Sequence, residues 1–241
     1  TEHGVAVPDV ARIAATLALA RPGAWLVVDV TGAPLAGSPL SLPEARAGRL
    51  RVHALESLTK HAQLGLDRVT AGAIYASSDD LPALDELREH LGANIADASV
   101  HALPTPERAV LARRLARHSR NAESLARHLA AVAPAGAEVA HPALASHPGH
   151  ARREATWLTL RLPAPRNAAA FIDAALAQAR AGNVALVEGA SFGLDTTRIY
   201  APSSGERPEI GFVRISPGIE HAETLPRLAG VLTRALIAAA P

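Results

Sequence analysis

Cysteine and methionine are both absent from these 241 residues, and aromatic side chains make up only 3% of them. Without cysteine there is no disulfide, no thiolate metal site and no thiol nucleophile, which fits a reducing cytoplasmic setting. With so few aromatics, a core must be built from Ala, Leu, Val and Ile, giving alanine-rich helices and β-branched strands. An excess of either charge is also lacking. The 24 basic and 23 acidic side chains leave a net +1, so no field favours nucleic acid or an anionic membrane. There is no basic-plus-apolar stretch at the start of the sequence, and no apolar run long enough to span a bilayer, so a soluble intracellular protein is expected. What remains is apolar bulk. At 49% hydrophobic, the chain can fill one large core or two modest ones.

Helical and strand periods alternate along the chain. Asp9 to Leu19 places Val10, Ile13, Ala14 and Leu17 at helical spacing, with Pro8 ahead and Arg21-Pro22-Gly23 as a stop. Ala24 to Val30 is a continuous apolar run around Asp29, the pattern of a strand buried on both faces. Leu50 to Leu55 and Val69 to Ala76 read as two further strands. Helices are expected over Leu81 to Leu91, closed by Gly92, and over Pro106 to Val132. The longer one has Val110, Leu111, Leu115, Ala122, Leu125 and Leu129 on one face; Arg113, Arg114, Arg117, Arg120 and Arg127 read as its solvated face. The Ala, Pro, Gly and His rich stretch 133–150 is the expected boundary between a unit over 1–132 and one over 133–241. Beyond it come strands at Ala155 to Leu162, Val184 to Val187 and Ile210 to Ile215, and helices at Asn167 to Arg180 and Ala222 to Ala239.

Several clusters carry chemical potential. Ser57-Leu58-Thr59-Lys60 follows an apolar run. Two hydroxyls beside one amine can hold an anionic group and an aldehyde carbon together, as a phosphorylated aldehyde cofactor requires; the plain reading is a solvated strand end. Asp29, at the end of its strand, is either a ligand contact or the turn residue that opens Thr31-Gly32-Ala33-Pro34. Gly189-Ala190-Ser191-Phe192-Gly193 spells the nucleophile elbow of serine hydrolases. That motif needs a helix after the serine, and Leu194 to Tyr200 is β-branched and poorly helical. His141, His147 and His150 sit in a loop with no acidic partner and read as His-Pro turns, so no metal is expected. Neither a dinucleotide fingerprint nor a Walker loop is present. Arg214 lies inside the apolar strand Phe212 to Ser216, where a guanidinium needs a partner, either an internal carboxylate or that of a substrate.

In their order and spacing, Asp29, Ser57-Leu58-Thr59-Lys60, His141-Pro142 through Ser146-His147-Pro148 and His150, Ser191-Phe192-Gly193, and Val213-Arg214-Ile215-Ser216-Pro217-Gly218-Ile219-Glu220 resemble one family over nearly the whole chain. It is the family of pyridoxal-phosphate enzymes of cysteine and methionine metabolism: cystathionine synthases, cystathionine lyases and methionine γ-lyases. The resemblance implies an α/β fold of the aspartate-aminotransferase type (PLP fold type I), with an incomplete large-domain sheet and a small C-terminal α/β domain. It implies pyridoxal 5'-phosphate as cofactor. Lys60 would join the cofactor covalently and move protons, Asp29 would hold the pyridine nitrogen protonated, and Ser57 and Thr59 would bind the phosphate. Arg214, with Ser191 beside it, would grip the α-carboxylate of an amino-acid substrate with a β or γ leaving group.

Family members carry a large N-terminal portion, with a phosphate cradle and an aromatic ring on the cofactor, that these residues do not contain. Val30 stands where a polar residue is usual and His61 where a tyrosine is usual. A sheet short of strands exposes edges and apolar faces, so a second polypeptide is expected to complete the fold, in an even-numbered heteromer. The alternatives are a non-catalytic assembly subunit and, third, a hydrolase using Ser191.

Overall fold

The structure is a computed structural model that describes residues 5, 7–35, 37–150, 155–202 and 211–239. They form two compact units, one of residues 8–107 and one of residues 108–241 joined by the first seven.

In the unit of residues 8–107, α1 (Val10–Ala20) starts where the Asp9 carboxylate accepts from the Arg12 amide at 3.0 Å. It ends at Arg21, ahead of Gly23, whose φ of +78° suits a residue without a Cβ. Strand β1 (Trp25–Asp29) follows. A connection containing a 3-10 turn (Pro39–Ser41) and the single-turn helix α2 (Pro43–Arg46) then leads to β2 (Arg51–Ser57). β1 and β2 pair in parallel, with Asp29 opposite Leu55. β3 (Gly72–Tyr75) returns antiparallel on the far side of β2, with Gly72 opposite Ser57. The sheet order β1-β2-β3 thus places the Ser57–Lys60 turn at the carboxyl end of its central strand.

Ala14 and Ala18 of α1 pack with Leu50 and Val52, beside Leu26, Leu40, Leu42 and Ala45. The small alanines let the helix lie close on the sheet. The continuous apolar run of β1 implied burial on both faces, and here the structure differs. Burial alternates along the strand, and Trp25 and Val27 are each 55% exposed. Helix α1 covers one face of this short sheet, while Trp25, Val27 and Ile74 stand out on the other. Helices α3 (Leu81–His90) and α4 (Asp97–Ala102) contain no buried residue.

The other unit begins with α5 (Arg108–Val132) and continues through β4 (Glu138–Ala140), β5 (Leu158–Leu162), α6 (Pro165–Ala181), β6 (Val187–Glu188), β7 (Arg198–Tyr200), β8 (Gly211–Ser216) and α7 (Leu225–Ala238). Its sheet runs β4-β5-β8-β7-β6, antiparallel except for the β7/β6 pair. Leu158, Leu160, Val213 and Ile215 send their side chains into a core with Leu125 and Leu129 of α5, Phe171 of α6, and Leu228, Leu232 and Leu236 of α7. Because strand side chains alternate, Thr159 and Arg214, which pair across β5 and β8, lie on the sheet face away from that core.

The long helix therefore belongs with the residues that follow it. The division falls near Arg108 rather than within 133–150, because Leu125, Ala126 and Leu129 are part of the second core. Val5 packs with Ala140 and Ala155, beside Trp157. The strand expected from Ile210 begins at Gly211, Ile210 lying outside the described residues. β4 and β7, three residues each, escaped sequence periodicity because an alternation needs four or more positions to show.

Candidate active-site elements

The cluster around Lys60 is built at the carboxyl ends of two parallel strands, where open α/β sheets place ligands. Val30 continues the β1/β2 pairing, its amide donating to the Leu55 carbonyl at 2.8 Å. Thr31 then links the strand ends: its amide donates to Asp29 Oδ1 at 2.9 Å, and its Oγ1 accepts from the Ser57 amide at 2.8 Å. The two readings of Asp29 are compatible, since Oδ1 forms the turn while the residue remains exposed. Thr31 is buried; its place in the turn after Asp29 follows from local sequence, whereas its contact with Ser57 depends on the pairing of β1 with β2.

Ser57 Oγ and Thr59 Oγ1 lie 2.8 Å apart. One hydroxyl hydrogen is shared within that pair, so the other is available to an external acceptor. Lys60 follows directly, and the chain turns through a 3-10 segment (His61–Gln63) with His61 and Gln63 buried. Gln63 holds the returning loop: Oε1 accepts from the Arg68 and Val69 amides at 2.8 and 3.0 Å, and Nε2 donates to the Val69 carbonyl. A polar residue in an apolar stretch was the available signal, and only the tertiary contact reveals its use. On β3, Tyr75 donates to Glu56 at 2.8 Å, and burial, with this carboxylate second, pushes the phenol up to about 12. On the exposed sheet face, His53 Nε2 lies 3.2 Å from Asp80 Oδ2 and packs edge-on to Trp25 at 4.7 Å. The His53 contact holds the Asp80 carboxyl below its ordinary range.

Arg214 is 4% exposed. Its guanidinium lies 5.8 Å from the Phe192 ring centre and 5.7 Å from that of Tyr200, its cross-strand neighbour. Trp157 packs on Phe192 at 5.1 Å. Two of the sparse aromatics thus flank this cation, whose planar charge is favourable against ring faces. Ser191 immediately precedes Phe192 and is followed by bends and then β7, not by the helix a nucleophile elbow needs.

The three loop histidines hold their own backbone. His141 Nδ1 accepts from the Ala143 amide at 3.0 Å, His147 Nδ1 accepts from the Gly149 amide at 2.9 Å, and His150 Nδ1 lies 3.1 Å from the Pro142 carbonyl. Two of the arginines read as a solvated face do other work. Arg114 donates to the Gly193 carbonyl at 2.9 Å and pairs with Asp195 at 2.7 Å, and Arg117 donates to the Glu220 carbonyl. Arg127 keeps the expected surface role, pairing with Glu123 one turn away at 2.8 Å.

This architecture, a sheet with parallel strands ending in an Asp and a Ser-x-Thr-Lys turn followed by a small α/β unit, is the aspartate-aminotransferase type, PLP fold type I, with a partial large domain. Across residues 1–227 the sequence matches the model of the family described as Cys/Met metabolism PLP-dependent enzyme, and the chain belongs to that family. The chain is 31% identical over 185 residues to the bifunctional enzyme flvA of Aspergillus flavus, covering 71% of this chain and 22% of that protein. Among solved structures it is similar to CalE6, a methionine γ-lyase from Micromonospora echinospora, with TM-score 0.68, 25% identity and 96% of this chain covered. Cystathionine γ-synthase from Xanthomonas oryzae pv. oryzae, solved with cystathionine, shares the fold with TM-score 0.72, 24% identity and 97% coverage. The chain spans about 60% of the length of each of these two structures. No helix among the described residues is long and apolar enough to cross a membrane.

Proposed function

We propose that this chain forms part of a pyridoxal-phosphate lyase or transferase that eliminates or replaces a group at the β or γ carbon of an amino acid. The observation that carries this reading is the junction of two parallel strand ends, where Thr31 ties Asp29 to Ser57 and the Ser57–Thr59 hydroxyl pair leads into Lys60. The donor set fits the cofactor in kind: an amine for its aldehyde, hydroxyls for its phosphate and a carboxylate for its ring nitrogen. When bound, the cofactor supplies an electron sink for negative charge at the substrate α-carbon.

Each residue then has a definite task. Ser57 and Thr59 would hold the phosphate together, through the one hydroxyl hydrogen that their mutual contact leaves available. Asp29 would keep a proton on the ring nitrogen, the Thr31 amide fixing its carboxylate. Lys60 would hold the cofactor aldehyde through Nζ and, as a free amine, would take the substrate α-proton and return one as general base and acid. In the second unit, Arg214 holds the substrate α-carboxylate, with Ser191 as a neighbouring hydroxyl donor. Borohydride treatment of the cofactor-loaded enzyme, followed by peptide mapping, is expected to place the reduced cofactor on Lys60. Labelling of any other residue overturns the assignment.

In this reading a second polypeptide packs on the unit that carries Lys60, in an even-numbered assembly. The exposed Trp25, Val27 and Ile74 face supports it, since an added layer there buries apolar area worth about 25 cal/mol per Å². These 241 residues expressed alone are expected to aggregate or to stay unfolded in the Trp25 region, and to become monodisperse with the partner. A stable, monodisperse species with no other polypeptide argues against the partner.

A further inference from the structure

Two loops that leave the carboxylate-binding elements meet at one junction. Residues 193–197 follow Ser191 and Phe192 and lead into β7, which carries Tyr200; residues 217–220 follow β8, which carries Arg214. The Ile219 amide donates to the Asp195 carbonyl at 2.9 Å, and the Gly218 amide donates to Thr197 Oγ1 at 3.2 Å. Glu220 Oε1 accepts from both the Thr197 amide and its hydroxyl, at 2.5 and 2.6 Å. A Cβ at Gly218 would overlap the Asp195 carbonyl, so only glycine lets the two backbones approach this closely.

Helix α5 seals the junction from behind. The buried His118 lies 2.8 Å from the Pro217 carbonyl through Nδ1, which donates to it. Asn121 Nδ2 donates to the Gly218 and Glu220 carbonyls at 2.9 and 3.2 Å. Arg117 grips the same Glu220 carbonyl, while Arg114 holds Gly193 and Asp195. The strand β7 has only three residues of its own, pairing with β8 from Arg198 opposite Ser216 to Tyr200 opposite Arg214. Such a short ladder fixes its own register weakly. The Thr197–Glu220 contact lies just beyond it and locks that register.

We infer that Glu220 and Thr197 are positioning residues that hold Tyr200 and Phe192 against Arg214 and so keep its guanidinium aimed for a substrate carboxylate. The inference rests on the carboxylate-binding role proposed for Arg214. Both residues act through backbone and ring placement and touch no substrate.

The test uses the complete cofactor-loaded enzyme with two probes, L-alanine, and L-alaninamide, which lacks the carboxylate, followed by calorimetry. Glu220→Ala and Thr197→Val are expected to weaken L-alanine by about tenfold, the loss of roughly one hydrogen bond's worth of alignment to a charged group. L-alaninamide and cofactor affinity, the latter read from visible absorbance, should not change. Glu220→Gln keeps the Oε1 acceptor and should restore L-alanine binding. On an Arg214→Ala background, Glu220→Ala should add nothing. Equal weakening of both probes, or a full additional loss on the Arg214→Ala background, overturns the positioning role; Thr197→Val, nearly isosteric, answers even where Glu220→Ala fails to fold. If Arg214→Ala by itself leaves L-alanine binding intact, the carboxylate role of Arg214 falls and the positioning role falls with it.

Discussion

Lys60→Ala is expected to slow turnover of the assembled, cofactor-saturated enzyme by more than about a thousandfold, since general acid–base transfer alone is worth about 10²–10⁴ and the covalent anchor is lost with it. Measuring a single turnover at saturating cofactor separates the two roles. Weakened cofactor retention removes the anchor, whereas a slow step at full occupancy removes the proton carrier. Ser57→Ala makes the contrast, because Thr59 stays in place and the damage should appear in cofactor affinity ahead of the chemical rate. A Lys60→Ala enzyme that loses less than about tenfold at full occupancy would move proton transfer to another group.

Acid is expected to unfold the second unit well before its carboxylates are all protonated. Burial pushes His118 and His141 down to about 4, against 6.5 for a free imidazole, so both stay neutral in the folded state where the unfolded chain takes up protons. The unfolded state binds more protons between those values. Stability is therefore whole above about pH 6.5, falls as pH drops and levels off near pH 4, at a cost of about 3 kcal/mol per histidine. Two such losses rival a typical total of about 5–15 kcal/mol. Denaturant midpoints at pH 7.5 and pH 4.5 measure it. His118→Asn, which keeps a donor for the Pro217 carbonyl and does not titrate, should remove about half of the pH slope. An unchanged slope in that variant would show that His118 does not drive the effect.

Much of the fold is encoded in local sequence signals. The helix of α1, the three strands around Lys60 and the alternation of β5 and α6 all follow from local period and stop signals, which need only neighbouring residues to act. The Ser57–Lys60 string and Asp29 were visible for the same reason, as short motifs at strand ends. The polar face of α5 was not visible in that way. His118 and Asn121 break its apolar stripe, and Arg114 and Arg117 resemble any solvated arginines, because what each one binds lies at least 79 residues away in the chain.

The sequence by itself determined the alternating α/β order, an aliphatic core without thiols, and the set of residues whose chemistry suits a phosphorylated aldehyde. These follow from composition and local spacing. Only the tertiary structure decided that Thr31 joins the Asp29 and Ser57 strand ends, that Phe192 and Tyr200 flank Arg214, and that α5 clasps the loops beside it. Each of those depends on the registers of β1 with β2 and of β7 with β8, which are set by packing and backbone pairing between segments distant in the chain, and no local pattern encodes them.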